Sequence, residues 1–170
     1  ALESIWNVNA NPVSTALAVA AASDILETLP ALADDLGNLN LRTRMARAAL
    51  NAGLAFSNTK TSLAHSISYP ITLRHGTPHG IACAFCLPMV MRWSAGAEEA
   101  CDAALGKIFG NDLLAGANRL DEFLLGLGIG VRPGDHGIEK EEWRNIVESA
   151  LDGDRGRNFP GDSAAVLASF

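Results

Sequence analysis

Cysteine and histidine are scarce in this chain of 170 residues, which has three of the first and four of the second. An odd, small number of cysteines without a secretory leader argues against a disulfide framework and for a reducing compartment, so the expected location is cytoplasmic. Basic clusters are missing as well. With 13 Lys and Arg against 19 Asp and Glu, and a net charge of −6, nothing is laid out to track a phosphate backbone, and no nucleic-acid partner is expected. No uninterrupted apolar run approaches the ~18 residues of a membrane span, and the Ala-rich stretch Ala16 to Ala22 is far shorter. No membrane partner is expected either. A convincing apolar/polar alternation, internal repeats and low-complexity tracts are also absent, so the chain reads as all-α rather than as a sheet or a solenoid.

What is present is helical patterning. Asn11-Pro12 reads as a helix start, with a long buried helix continuing to about Leu29 before Pro30. A second helix is expected over Leu41 to Ser57, with Gly53 marking a close contact. Others are expected over Ser62 to Leu73, bent at Pro70, and Gly80 to Trp93, bent near Pro88. Three more fall at about Ala97 to Phe109, Asp112 to Leu127 and Glu139 to Leu151, with loops at Gly128-Ile129-Gly130 and Arg132-Pro133-Gly134. Ala1 to Trp6 has helical spacing and no cap, as though the chain begins inside a helix. The fold class expected is all-α, an antiparallel helical bundle forming one domain over residues 1–170.

The chemistry concentrates in one run. His65 and His79 stand fourteen positions apart in Ala64-His65-Ser66-Ile67-Ser68-Tyr69-Pro70-Ile71-Thr72-Leu73-Arg74-His75-Gly76-Thr77-Pro78-His79-Gly80, which holds three of the four histidines. Imidazole is the commonest protein ligand for mid-row divalent metals, and a histidine in a Pro/Gly turn is held in place. The residues themselves leave two alternatives, a metal site or two satisfied buried histidines. Two ligands do not close a catalytic site, which takes three and an open position.

Gly53 to Ala95, and above all Phe56-Ser57-Asn58, Ala64-His65, Tyr69-Pro70, Thr77-Pro78-His79-Gly80 and Leu87-Pro88-Met89-Val90-Met91-Arg92, resembles the helical domain of the iron-containing (group III) alcohol dehydrogenases. The resemblance implies a dehydroquinate synthase-like helical domain, a metal (Fe²⁺ or Zn²⁺) held by His65 and His79, and NAD or NADP bound by a separate amino-terminal domain. Ala1-Leu2-Glu3 looks like the segment directly after the family's Asp-x-x-x-His, so the other two ligands would precede Ala1. Ala150-Leu151-Asp152 and Asn158-Phe159-Pro160 look like the closing segment that borders the active site. On this reading the chain is the metal-binding domain truncated at its amino terminus, inactive alone, without its nucleotide-binding domain.

Many relatives carry histidine where this chain has Tyr69, which makes Tyr69 the candidate catalytic residue, a hydrogen-bond donor or proton relay. Phe56, Lys60, Arg74 and Arg155 are the substrate candidates, the three cations as readers of an anionic tail. The Phe56 to Pro70 segment looks most like phosphonoacetaldehyde reductase-like members. The partners expected are a small aldehyde or alcohol and, in a homo-oligomer, further copies of the chain. Two patterns are read as decoys: His75 with His79, separated by Gly76 and Pro78, and Cys83-Ala84-Phe85-Cys86, expected to be buried, inert thiols. The competing functions are a zinc-dependent glycerol dehydrogenase-like enzyme and a helical binding module without chemistry.

Overall fold

The computed structural model describes residues 1–170. A single buried turn, α1 (Leu2–Ile5), precedes the longest helix, α2 (Pro12–Asp34). Asn11 starts α2 by accepting from the Val13 and Ser14 N–H groups while Ser14 Oγ accepts from the Asn11 N–H, and Pro12 occupies the first turn, where no N–H is needed. The expected stop before Pro30 does not occur. Proline keeps a helical φ and forfeits one ladder bond, so the helix runs on to Asp34 and ends where Asp35 leaves the helical region, at φ −137° and ψ 78°.

Only one stripe of α2 is buried, Ser14, Ala18, Ala21, Ala22, Thr28 and Leu32, so the expected buried helix is a half-buried one. By length and composition α2 is also apolar enough to cross a membrane. Here its small residues pack closely on α3 (Leu39–Thr59), its most extensive partner, and Asp24 receives Arg44 and Arg47 of α3 at 2.9 Å each. A short loop closed by the Asn38 cap makes the pair an antiparallel hairpin. Gly53 faces open space rather than a close contact.

The chain continues as α4 (Leu63–His75), α5 (His79–Ala84), α6 (Leu87–Ser94), α7 (Glu99–Phe109), α8 (Leu113–Gly126), α9 (Lys140–Asp152) and α10 (Ser163–Ala168), with 3₁₀ turns at Pro133–His136 and Gly156–Asn158. No strand is present, and the all-α class holds. The helix expected over Gly80 to Trp93 is two helices broken at Phe85 and Cys86, because Pro88 lies in the first turn of α6 and opens that helix. α10 and the two 3₁₀ turns were not legible in the pattern.

The core gathers Trp6, Leu63, Ile67, Ile71, Phe85 and Val147 with their neighbours into one cluster. Its centre includes α4, which buries Leu63, Ala64, Ile67 and Ile71. That burial fixes the helix's rotation and leaves His65 and Tyr69, one turn apart, on its accessible side.

Candidate metal centre

α4 ends at Gly76, whose φ of 69° lets the chain reverse, and Pro78 then delivers His79 as the first residue of α5. The reversal brings the two histidines together. Their ring centroids are 5.6 Å apart at 71°, and Tyr69 stacks on His79 at 5.6 Å and 17°. Cys83, one turn along α5 from His79, sits beside them, so that ligand atoms of His65, His79 and Cys83 all lie within 4.8 Å of one another. Two imidazoles and a thiol suit a borderline divalent cation such as Zn²⁺ or Fe²⁺ far better than Ca²⁺ or Mg²⁺. The residues fit the metal that their spacing suggests.

A carboxylate from the far end of the chain completes the arrangement. Glu3, 6% exposed on α1, accepts from the His65 backbone N–H at 3.2 Å through Oε1 and from His65 Nδ1 through Oε2. Burial pushes the Glu3 carboxyl up, but the hydrogen bonds from the His65 ring and from the backbone N–H groups of Ser62 and His65 outweigh it and leave the group below its ordinary range. On the other ring, Ser68 Oγ lies 3.3 Å from His79 Nδ1. Sequence reasoning passed over Glu3 and Ser68 and set Cys83 aside as part of a decoy, whereas the structure places it with the two histidines. Cys83 and Ser68 carried a signal, at four residues from His79 and three from His65; Glu3, 62 residues from its partner, carried none.

A cleft of about 750 Å³ opens beside His65 and Tyr69 and is lined also by Phe56, Lys60, Thr61 and Arg155. Arg155 lies over the Tyr69 ring, 5.0 Å from its centroid, and donates from Nε to Thr61 Oγ1 at 3.0 Å. Lys60 terminates α3 at φ 64° and ψ −179°, a backbone region that suits glycine. Three of the four substrate candidates therefore share one cleft with Tyr69 and His65. Arg74 is the exception, since its side chain is exposed and pairs with Glu142 of α9 at 3.6 Å, away from the cleft.

The decoys are explained. His75 points to Glu142, 3.0 Å from its Oε1, rather than to His79. All three cysteines are free. Burial raises the Cys83 thiol to about 11 and that of Cys101 to about 12, and it pushes Cys86 well above its usual value. Cys86 is buried as expected, whereas Cys83 is half-buried against His79 rather than sunk in the core.

The model of the Fe-containing alcohol dehydrogenase family, C-terminal, matches residues 1–162. The phosphonoacetaldehyde reductase of Streptomyces viridochromogenes is 35% identical over 92 residues, 54% of this chain and 23% of that protein. The 1,3-propanediol dehydrogenase of Klebsiella pneumoniae is 29% identical over 161 residues, 89% of this chain and 41% of its own length. Among solved structures, an iron-containing alcohol dehydrogenase from Thermotoga maritima superposes with a TM-score of 0.74 at 30% identity, covering 98% of this chain and 44% of that one. The chain spans less than half the length of each of these relatives.

Proposed function

This chain belongs to the Fe-containing alcohol dehydrogenase family, matching its C-terminal part, and from that membership we propose that it is the metal-holding helical region of an NAD(P)-dependent alcohol dehydrogenase or aldehyde reductase. The observation that carries the reading is the approach of His65 and His79 across the Gly76–Pro78 reversal, beside an open polar cleft. The chemistry that Fe²⁺ or Zn²⁺ supplies when bound is polarisation of a carbonyl or alkoxide oxygen, matched to hydride exchange with a nicotinamide held outside these 170 residues.

The chain's own residues bind and orient. His65 and His79 hold the cation. Tyr69, packed flat on His79 and exposed to the cleft, places its phenol where it donates a hydrogen bond to the substrate oxygen or relays its proton. Phe56 supplies an apolar wall. Lys60 and Arg155 are the cations of the cleft, and together with the similarity to a phosphonoacetaldehyde reductase they favour a short aldehyde with an anionic tail. Arg74 takes no part.

Replacing His79 with Ala tests the centre directly, because His79 is solvent-exposed and lies outside the buried core. Metal and activity of the intact enzyme should be lost together, and a variant that keeps its full metal content refutes the assignment. The tail is tested by kcat/KM on phosphonoacetaldehyde against acetaldehyde. A charge-assisted hydrogen bond favours the anion by on the order of 10- to 100-fold, a preference that Arg155→Ala should erase. Equal values for both aldehydes would return Lys60 and Arg155 to the solvated surface. The 170 residues alone should show no nicotinamide-coupled turnover, and a measurable rate would contradict the division of labour.

A further inference from the structure

The metal reading leaves open how two imidazoles, each with two interchangeable nitrogens, come to offer the correct one. We propose that Glu3 and Ser68 are positioning residues that lock both His65 and His79 as Nδ1–H tautomers, so that both Nε2 lone pairs face the centre before a cation arrives. The inference rests on that reading and adds to it two residues and a protonation pattern.

Counting protons gives the pattern. Ionised Glu3 only accepts, so its contact with His65 Nδ1 requires a proton on that nitrogen, and His65 Nε2 is left bare. Glu3 Oε1 also accepts from the His65 backbone N–H at 3.2 Å, which fixes the carboxylate against the turn that carries the ring. Ser68 has a single hydroxyl proton, which it donates to the His65 carbonyl at 2.8 Å. At His79 Nδ1, 3.3 Å away, the same oxygen can then only accept, so that nitrogen too carries the proton. Cys83 is compatible with this pattern, since its Sγ lies 3.7 Å from His79 Nε2 and a thiol can donate to a bare ring nitrogen.

The Glu3 and Ser68 contacts thus settle on one proton arrangement, and both pass through residues that touch no substrate. A partner that holds the remote nitrogen of a ligating histidine is the usual device for fixing ring orientation and tautomer. Here a carboxylate from α1 serves one ring and a hydroxyl from α4 the other. Ser68 is buried and bonded to both histidines, which ties the two rings to each other as well.

The test is ¹⁵N NMR of the metal-free protein, labelled at histidine, above the imidazole titration range, and then divalent-metal affinity in competition with a chelator. Both rings should report a protonated Nδ1 and an unprotonated Nε2. Ser68→Ala should release His79 to a mixture of tautomers and weaken metal binding roughly 10- to 100-fold, with the helical circular dichroism unchanged. Glu3→Leu should do the same to His65, while Glu3→Gln, which keeps an acceptor oxygen, should preserve its tautomer. If the leucine variant does not fold, Ser68→Ala and Glu3→Gln still decide. Protonated Nε2 on either ring of the wild type overturns the proposal, as does wild-type affinity in the Ser68→Ala protein. A wild type with both tautomers as stated but no affinity for Fe²⁺, Co²⁺ or Zn²⁺ supports the tautomer assignment and overturns the metal reading instead.

Discussion

Lys60 combines two properties that pull against each other. Its backbone, at φ 64° and ψ −179°, occupies a region where a side chain costs about 1–3 kcal/mol, yet that side chain lines the cleft next to His65 and Tyr69. Lys60→Gly should therefore raise stability by about 1 kcal/mol after the entropic cost of glycine, and raise KM for an anionic aldehyde in the same protein. A melting curve and a saturation curve on one preparation check both, and a rise in stability without a change in KM would leave Lys60 a surface residue. The cysteines give a second expectation. With Cys83 near 11 and Cys101 near 12, and Cys86 fully buried, thiol reagents at neutral pH should label the native protein far more slowly than the unfolded one. Rapid titration of even one native thiol would contradict this. At this scale the sequence exposed the two imidazoles, through their spacing and the turn between them, and Lys60 and Arg155 as cations. It could not expose Glu3, because a contact across 62 residues is made by tertiary folding and by no local pattern.

Helices were the most legible level, since apolar periodicity and caps are local; Asn11, Asn38 and Asp112 each start a helix through a side-chain oxygen. Proline and glycine were harder, because their effect depends on position and neighbours. Pro88 opens α6 rather than bending a longer helix, and Gly53 and Gly116 have opposite surroundings. A Cβ at Gly53 meets nothing within 4 Å, whereas one at Gly116 would lie 2.7 Å from Phe109 Cβ and 2.9 Å from Met91 Cε. Gly53→Ala should stabilise by about 0.5–1 kcal/mol and Gly116→Ala should destabilise by about 1–2 kcal/mol. Thermal or urea unfolding of the pair checks the signs, and equal shifts would mean that helix propensity alone decides. The last turn of α4 carries a pH dependence. The hydrogen bond from His75 is the main cause that holds Glu142 below its ordinary range, with Arg74 adding to it. A depressed carboxyl stabilises above its unfolded pKa of about 4.3 and loses that contribution as pH falls through the folded value. The melting temperatures of wild type and Glu142→Gln should differ at neutral pH and converge under acid; a gap that persists there would mean the glutamine perturbs packing.

On the scale of the molecule, the site draws on stretches that the chain keeps far apart: residues 3 to 9, 56 to 83, and 155 to 158. The all-α class and the bundle could be foreseen from the absence of alternation, but the closing of these stretches around one cleft could not. Asn158 shows how it is done. Its Nδ2 donates to the Thr61 carbonyl at 2.8 Å, its own carbonyl accepts from the Val8 N–H at 2.9 Å, and its Oδ1 accepts from Asn9, which also reaches the Thr59 carbonyl. Asn7 adds a bond to the Lys60 carbonyl at 3.4 Å. The backbone of Asn7 to Asn9 and of Lys60 to Thr61, beside the cleft, is irregular, and a segment of that kind usually exchanges its amide protons fast. This one is stapled across three remote parts of the chain, so it should open to solvent as a single cooperative event, with the Val8 amide as slow as those of a helix. Deuterium uptake would show it. In wild type the Val8 proton should persist, and in Asn158→Ala its loss should spread to the Asn7 to Asn9 and Lys60 to Thr61 segments together, as when one stitch releases a seam.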